Sequence, residues 1–475
     1  MPSTHPLELP ETLALVVVYL PLGSLPTCAR VSRAWYQACV PLVWNHIHLE
    51  LLSPPTYLIE YHSHLVRKLN IGVVSQDHAA LRFPNLDTIS FDSLDDEVHD
   101  KDTTRFIMDH PTVTRLELRT LSTNCDPAFW DALHGFRNLR SLAMSSLEVF
   151  GTNAGKFWPL CTRLERLEIS VQHTIAIPLP PGEYPNLKHL GVYGSKPNMV
   201  PFFMGFLRQC PRLTSIAWRT VVYQEAGFIS GLSELLEANA LPNLECLMTG
   251  TRGIDNELFT RLIQNLPLLI NTLFIRFSRN ALDMDLAKLF QPHFSNLRVL
   301  EVLADPNIKS SFAQLAMSSC PLLEKLTAPN VDALVVTAGG PWVCSKLKAL
   351  DLTFCFDPPS TAYHLQPLIF DRLSKLTRLE ELRMVGPKKN HNIGGTVDLR
   401  LEYGLDKLST LRLLRSISLR DMVEIMDNAE VDWMLEHWKS LTLFNGRLNT
   451  WDSSTRGALV KRLERHGIKV VQYVH

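Results

Sequence analysis

One six-residue phrase, L-x-x-L-x-L with conservative swaps, recurs along most of the chain. It stands as Leu86-Ile89-Phe91, Val113-Leu116-Leu118, Leu139-Leu142-Met144, Leu164-Leu167-Ile169, Leu187-Leu190-Val192 and Leu213-Ile216-Trp218. It returns as Leu297-Leu300-Val302, Leu323-Leu326-Ala328, Leu347-Leu350-Leu352, Leu379-Leu382-Met384 and Leu414-Ile417-Leu419. Weaker copies lie at Val66-Leu69-Ile71, Leu244-Leu247, Leu269-Leu273-Ile275 and Leu441-Phe444. Most neighbouring copies begin 23 to 27 residues apart, and three intervals stretch to between 31 and 35. Side chains alternate along a strand, so the last two apolar residues of a phrase face the same way. One such strand cannot bury that face alone, whereas a stack of them, each followed by a return segment, can. The repeat therefore demands a stacked, quasi-one-dimensional fold.

Between the phrases, residues 203–207, 257–264 and 312–317 carry apolar side chains at three-to-four spacing, which predicts helices. Seven phrases have a proline two positions before their first apolar residue: Pro84, Pro111, Pro185, Pro211, Pro242, Pro267 and Pro321. Proline cannot extend a helix beyond its first turn, so it marks the change from helix to strand. These intervals are those of leucine-rich repeats. The expected fold is α/β, a leucine-rich-repeat solenoid over residues 61–475, shaped as a horseshoe with parallel strands on the concave face and helices on the convex face. Insertions in such folds form loops, and GPKKNHNIGGTV at 386–397 is the expected protruding one. At the C-terminal end Ser453 or Ser454 is expected to cap a helix that Gly467 stops, with a final strand over 468–474. Its charged face, with Arg456, Lys461, Arg462 and Arg465, suits a terminal cap.

Residues 1–50 lack the phrase, and Pro54-Pro55 marks a joint within an expected linker over 51–60. This module reads Leu9-Pro10-Glu11-Thr12-Leu13, then apolar residues 16–20, Leu25, Val31-Ser32-Arg33-Ala34-Trp35, and Pro41-Leu42-Val43-Trp44. In order and spacing it resembles the F-box, an all-α module. The Cys-Pro-x-Leu form at Cys210 and Cys320 likewise resembles the cysteine-containing repeats common in F-box proteins. The resemblance implies a Skp-type adaptor as partner and, through it, a cullin scaffold. Matching residue by residue assigns adaptor binding to Leu9, Pro10, Leu13, Leu20, Leu25, Val31, Ser32 and Trp35. A module this small cannot close a core alone, and its apolar residues lie on more than one side, which fits a partner-covered surface. A helical cap shielding the open end of the repeats is the alternative. Trp44 and Ile47 are expected to pack on the first repeat either way.

Other function classes find little support. Lys+Arg 47 against Asp+Glu 48 leaves a net charge of -1, with no long-range pull toward nucleic acid or an anionic membrane. The apolar run at 13–22 is too short to span a bilayer and lacks a basic lead, so neither a signal peptide nor a membrane span is expected. Nine cysteines without a C-x-x-C pair suggest neither a disulfide framework nor a zinc cluster, which favours a cytoplasmic or nuclear location. No phosphate loop, dinucleotide fingerprint, H-E-x-x-H or G-x-S-x-G occurs, so the chain is expected to be no enzyme and to need no cofactor. His46 and His48 share a strand face without a third ligand, His437 sits beside Trp438 as packing, and the acidic run from Asp92 to Asp102 lacks the spacing of a calcium loop.

Taken together, the expected role is substrate recognition for an SCF-type ubiquitin ligase, with a ligase-independent repeat scaffold as the alternative. The residue between the last two apolar positions of each phrase points away from the core. That row reads Ser90, Glu117, Ala143, Glu168, Gly191, Ala217, Met248, Glu301, Thr327, Asp351, Arg383 and Ser418. Arg119, Tyr193 and Arg219 add arginine and aromatic groups of the kind enriched at interfaces. A protein substrate with an apolar segment flanked by basic residues is therefore expected across Glu117, Arg119, Ala143, Glu168, Gly191, Tyr193, Ala217, Arg219 and Met248. Crowding between strands is the other reason for small residues at 143, 191 and 217.

Overall fold

The computed structural model describes residues 9–49, 54–72, 74–92, 100–119, 127–145, 152–170, 182–194, 199–219, 226–250, 254–276, 286–303, 311–328, 331–356, 361–385, 397–420, 426–446, 448 and 452–472. The chain forms two compact units, residues 1–213 with 219–222 and residues 214–218 with 223–475.

The first unit opens with three helices, α1 (Pro10–Val18), α2 (Leu25–Cys28) and α3 (Arg33–Trp44), and a fourth, α4 (Thr56–His62), follows. Its sheet holds β1 (His46–His48), β2 (Lys68–Ile71), β3 (Thr88–Phe91), β4 (Arg115–Leu118), β5 (Ser141–Met144), β6 (Arg166–Ser170) and β7 (His189–Tyr193). Each strand pairs with the next in parallel. The register aligns Ile47, Leu69, Ile89, Leu116, Leu142, Leu167 and Leu190 in one buried row. Strand β1 thus belongs to the sheet although it lies inside the expected N-terminal module. Trp44 stacks on His62 with ring centroids 4.5 Å apart, tying α3 to α4. The stretch expected as a linker, 51–60, holds most of α4, because Pro55 fixes the helix start and Ile59 is buried.

The second unit repeats the plan with β8 (Ser215–Arg219), β9 (Cys246–Gly250), β10 (Thr272–Arg276), β11 (Val299–Leu303) and β12 (Lys325–Thr327). It continues through β14 (Ala349–Leu352), β16 (Glu381–Val385), β17 (Ser416–Arg420), β18 (Leu443–Gly446) and β19 (Lys469–Val471), all parallel. Two short strands, β13 (Val331–Asp332) and β15 (Phe354–Cys355), pair separately. In both units helices or turns fill the return path, as in a solenoid. The predicted helices stand at Val200–Arg208, Asn256–Asn265 and Ser311–Ser319. Among the described residues no helix is long and apolar enough to cross a membrane.

The prolines act through a four-residue turn. Leu86 donates its N–H to the Phe83 carbonyl, Val113 to His110, Leu213 to Cys210 and Leu323 to Cys320, with proline second in each turn. That position wants the φ that proline fixes. At Pro267 the turn starts one residue later, closed by Ile270 N–H to the Pro267 carbonyl. The phrase there is Ile270-Leu273-Ile275, not one beginning at Leu269: Ile270 is buried and Leu269 is exposed. At the C-terminal end the cap is Asp452 rather than Ser453 or Ser454. Its carboxylate accepts the N–H groups of Ser454 at 2.9 Å and Thr455 at 3.3 Å, and Gly467 ends the helix at φ +81. Residues 386–396 of the expected loop and residues 93–99 of the acidic run lie outside the described residues, whereas Val397 is buried.

Candidate functional site

Two surfaces of the first unit gather most of the candidate residues. The first is the helical module. Pro10 takes the first turn of α1, where its missing N–H is no loss, and Ser32 caps α3 by accepting the Trp35 N–H at 3.3 Å. Val17, Leu25 and Cys39 form a small core, covered by Leu20, Cys28, Ala29, Trp35, Ala38, Leu42 and Val43. Burial raises the Cys39 thiol pKa, with Cys28 nearby adding to it.

This packing divides the eight residues assigned to adaptor binding. Leu13 is 0% and Leu25 1% exposed, so neither presents a surface to a partner, and Leu25 lies in the module's own core. Leu20 and Trp35 are half-buried on the core, Ser32 serves the helix cap, and Leu9, Pro10 and Val31 are exposed. The sequence reading missed Leu15, Val18, Tyr19 and Leu22, all exposed, with Tyr19 at 86%. Leu15, Val18 and Tyr19 are three and four residues apart and share one face of α1. Their signal was the apolar surplus beyond the residues needed for the core.

The second surface is a shallow pocket of about 310 Å³ on the open face of the sheet, lined by Arg115, Glu117, Leu118, Arg119, Ala143, Met144, Ser145, Glu168, Ser170 and Tyr193. Register places Glu117, Ala143, Glu168 and Gly191 side by side on β4 to β7. Arg115 Nη2 reaches Glu117 Oε1 at 2.8 Å, and Arg166 Nε reaches Glu168 Oε1 at 2.7 Å. Arg119 pairs with Asp92 at 3.0 Å and stands 4.0 Å from Glu117 Oε2. Burial raises the Tyr193 phenol pKa, and the Glu168 carboxylate adds to the rise. Burial lowers the His189 pKa, assisted by the Arg166 and Lys188 charges.

Of the nine residues expected to bind substrate, the structure gathers Glu117, Arg119, Ala143, Glu168 and Tyr193 here, with Gly191 in register beside Glu168. Ala217 and Met248 are register partners on β8 and β9, half-buried, and Arg219 is exposed. The outward row of the second unit also contains Phe274, in register with Met248 and Glu301, which the row read from the sequence left out although it lies between Leu273 and Ile275.

Gly191 is small for a reason. A Cβ there would lie 3.1 Å from Glu168 Cγ and 3.2 Å from the Tyr193 ring and hydroxyl. Tyr193 folds back over the strand and needs that space. Gly191→Ala is expected to change stability by less than about 1 kcal/mol, because alanine's better strand propensity offsets the crowding, but to push the Tyr193 ring aside. A crystal structure of the variant with that ring unmoved would refute the account.

Elsewhere His46 and His48 are exposed and His437 is half-buried. His46 and His48 rings lie 4.5 Å apart, with Asn70 hydrogen-bonded to His48 Nδ1 at 3.1 Å, and His437 stacks on Trp433. Among the described residues no group of three His, Cys, Asp or Glu side chains is placed to hold a metal ion.

Residues 8–50 match the F-box-like family model. No curated protein sequence matches the chain. Among solved structures, a chain of the yeast Rad7 and Elc1 complex is similar at 12% identity and a TM-score of 0.41, over 98% of this chain and 93% of that one. The N-terminal module is thus F-box-like, and the repeats are described by their own geometry.

Proposed function

We propose that this chain is the substrate-recognition subunit of an SCF-type ubiquitin ligase. The observation that carries this reading is the F-box-like match over residues 8–50, whose helices leave Leu15, Val18, Tyr19 and Val31 in solvent. Apolar side chains set side by side on a helix and left uncovered mark a partner surface. The partner is a Skp-type adaptor that links the module to a cullin. In each unit the strands, read as leucine-rich repeats, present a row of outward positions to a protein substrate, and in the first unit the pocket at Ala143 is its docking point. Ubiquitin transfer belongs to the partners, and this chain supplies binding and position only. Such a subunit works in the cytoplasm or the nucleus.

Affinity purification of the full chain from cells, followed by mass spectrometry, tests the reading. Co-purification of a Skp-type adaptor and a cullin at comparable abundance is the expected result. Recovery of the chain without either one would leave a ligase-independent repeat scaffold.

A further inference from the structure

We propose that the pocket between Glu117 and Glu168 receives a basic side chain of the bound polypeptide, with arginine the best match. This rests on the reading of the open face as a docking surface and names the chemistry that surface selects. Ala143 stands between the two glutamates in register, and its methyl group leaves the space above it open. Neighbouring strands are about 4.8 Å apart, so the glutamate backbones flank a gap of roughly 10 Å. Both carboxylates line the pocket and are less exposed than the arginines they pair with: the side chains of Glu117 and Glu168 are 23% and 27% exposed, those of Arg115 and Arg166 48% and 46%.

Among the described residues the hydrogen bonding of both carboxylates is incomplete, with Glu117 Oε2 approached only by Arg119 at 4.0 Å. Arg115 engages Glu117 through Oε1, and Arg166 engages Glu168 through Oε1. Among the described residues, Oε2 of each glutamate accepts no hydrogen bond, although a carboxylate oxygen has two lone pairs to offer. Two partly buried carboxylates with spare acceptors ask for donors. A guanidinium brings five N–H groups in a planar fork and stacks on an aromatic face, and Tyr193 forms the adjoining wall. An anionic ligand fits less well, because Arg115, Arg119 and Arg166 are already paired with Glu117, Asp92 and Glu168 and would have to be released.

The same geometry supplies its own blocking variant. Ala143→Arg places a guanidinium between the two glutamates from within the chain and fills the pocket in cis. Peptides are selected by display on the full-length protein, with the Ala143→Arg protein as counter-selection. Each selected peptide, and its counterpart with arginine replaced by citrulline or lysine by acetyl-lysine, is then titrated into wild-type protein and into Glu117→Gln/Glu168→Gln. The expected peptides carry arginine or lysine, and both the neutral peptide and the double variant weaken binding roughly tenfold or more, as for a charge-assisted pair. Unchanged thermal melting of the double variant shows that the fold is intact. Peptides that Ala143→Arg blocks, but that are acidic or indifferent to the two Gln substitutions, overturn the basic anchor and leave the docking face standing. Failure to select any peptide that Ala143→Arg blocks overturns both.

Discussion

Replacing Leu142 with alanine is expected to lower the stability of the first unit by about 2–5 kcal/mol, and Leu350→Ala is expected to do the same in the second. Leu142 is 0% exposed and lies in register between Leu116 and Leu167. Leu350 lies between Leu326 and Leu382 in the same way. Truncation removes buried methyl groups and leaves a cavity, because parallel strands on both sides hold the backbone in place. A repeat is stable largely through its interfaces with its neighbours, so the loss should spread along the stack. Denaturant titration with hydrogen exchange would show faster exchange in β4 and β6 for the first variant, and in β12 and β16 for the second. Wild-type melting of both variants would mean that these leucines are not the core.

The strand row was legible because its signal is local and has period two: an apolar residue at each inward position and, before seven of the phrases, a turn-forming proline. The errors came where one local signal competed with another. At 266–270 the sequence Leu-Pro-Leu-Leu-Ile offers three apolar residues after the proline, and only the turn's hydrogen bond selects Ile270. At the C-terminal helix Asp452 precedes two serines that can cap equally well by type, and geometry decides among them. Strand β1 carried no phrase of its own. It joins the sheet because β2 offers Asn70 and its neighbours as a pairing edge.

The candidate surfaces divide along the same line. The outward row on β4 to β7 follows from alternation, so Glu117, Ala143, Glu168 and Gly191 were readable as neighbours. Their pairing with Arg115 and Arg166 was not, since both arginines stand two residues away on the same strands and the choice of rotamer closes each pair. In the module the motif marked the right segment and mixed two roles. A family motif holds buried and exposed residues together, and only packing separates Leu13 and Leu25, which are buried, from Leu9 and Val31, which are exposed.

That separation sets the sharpest test of the adaptor surface. Leu15→Ser, Tyr19→Ser and Val31→Ser combined are expected to abolish binding of a purified Skp-type adaptor. Each truncation of a central apolar anchor costs about 2 kcal/mol, or roughly thirtyfold in Kd. The three positions are 70%, 86% and 69% exposed, so they hold little of the fold, and each substitution should shift stability by no more than about 0.5 kcal/mol. Leu25→Ala is the contrasting variant: it sits in the small core with Val17 and Cys39, so it should lose adaptor binding only together with the module's own structure. Calorimetric titration beside thermal melting distinguishes the two routes, because the surface variant loses affinity at constant melting behaviour and the core variant loses both. Wild-type affinity in the triple surface variant would show that this face of α1 and Val31 is not where the adaptor docks. The exposed apolar side chains would then belong to a different partner, and the ligase reading would rest on the motif alone.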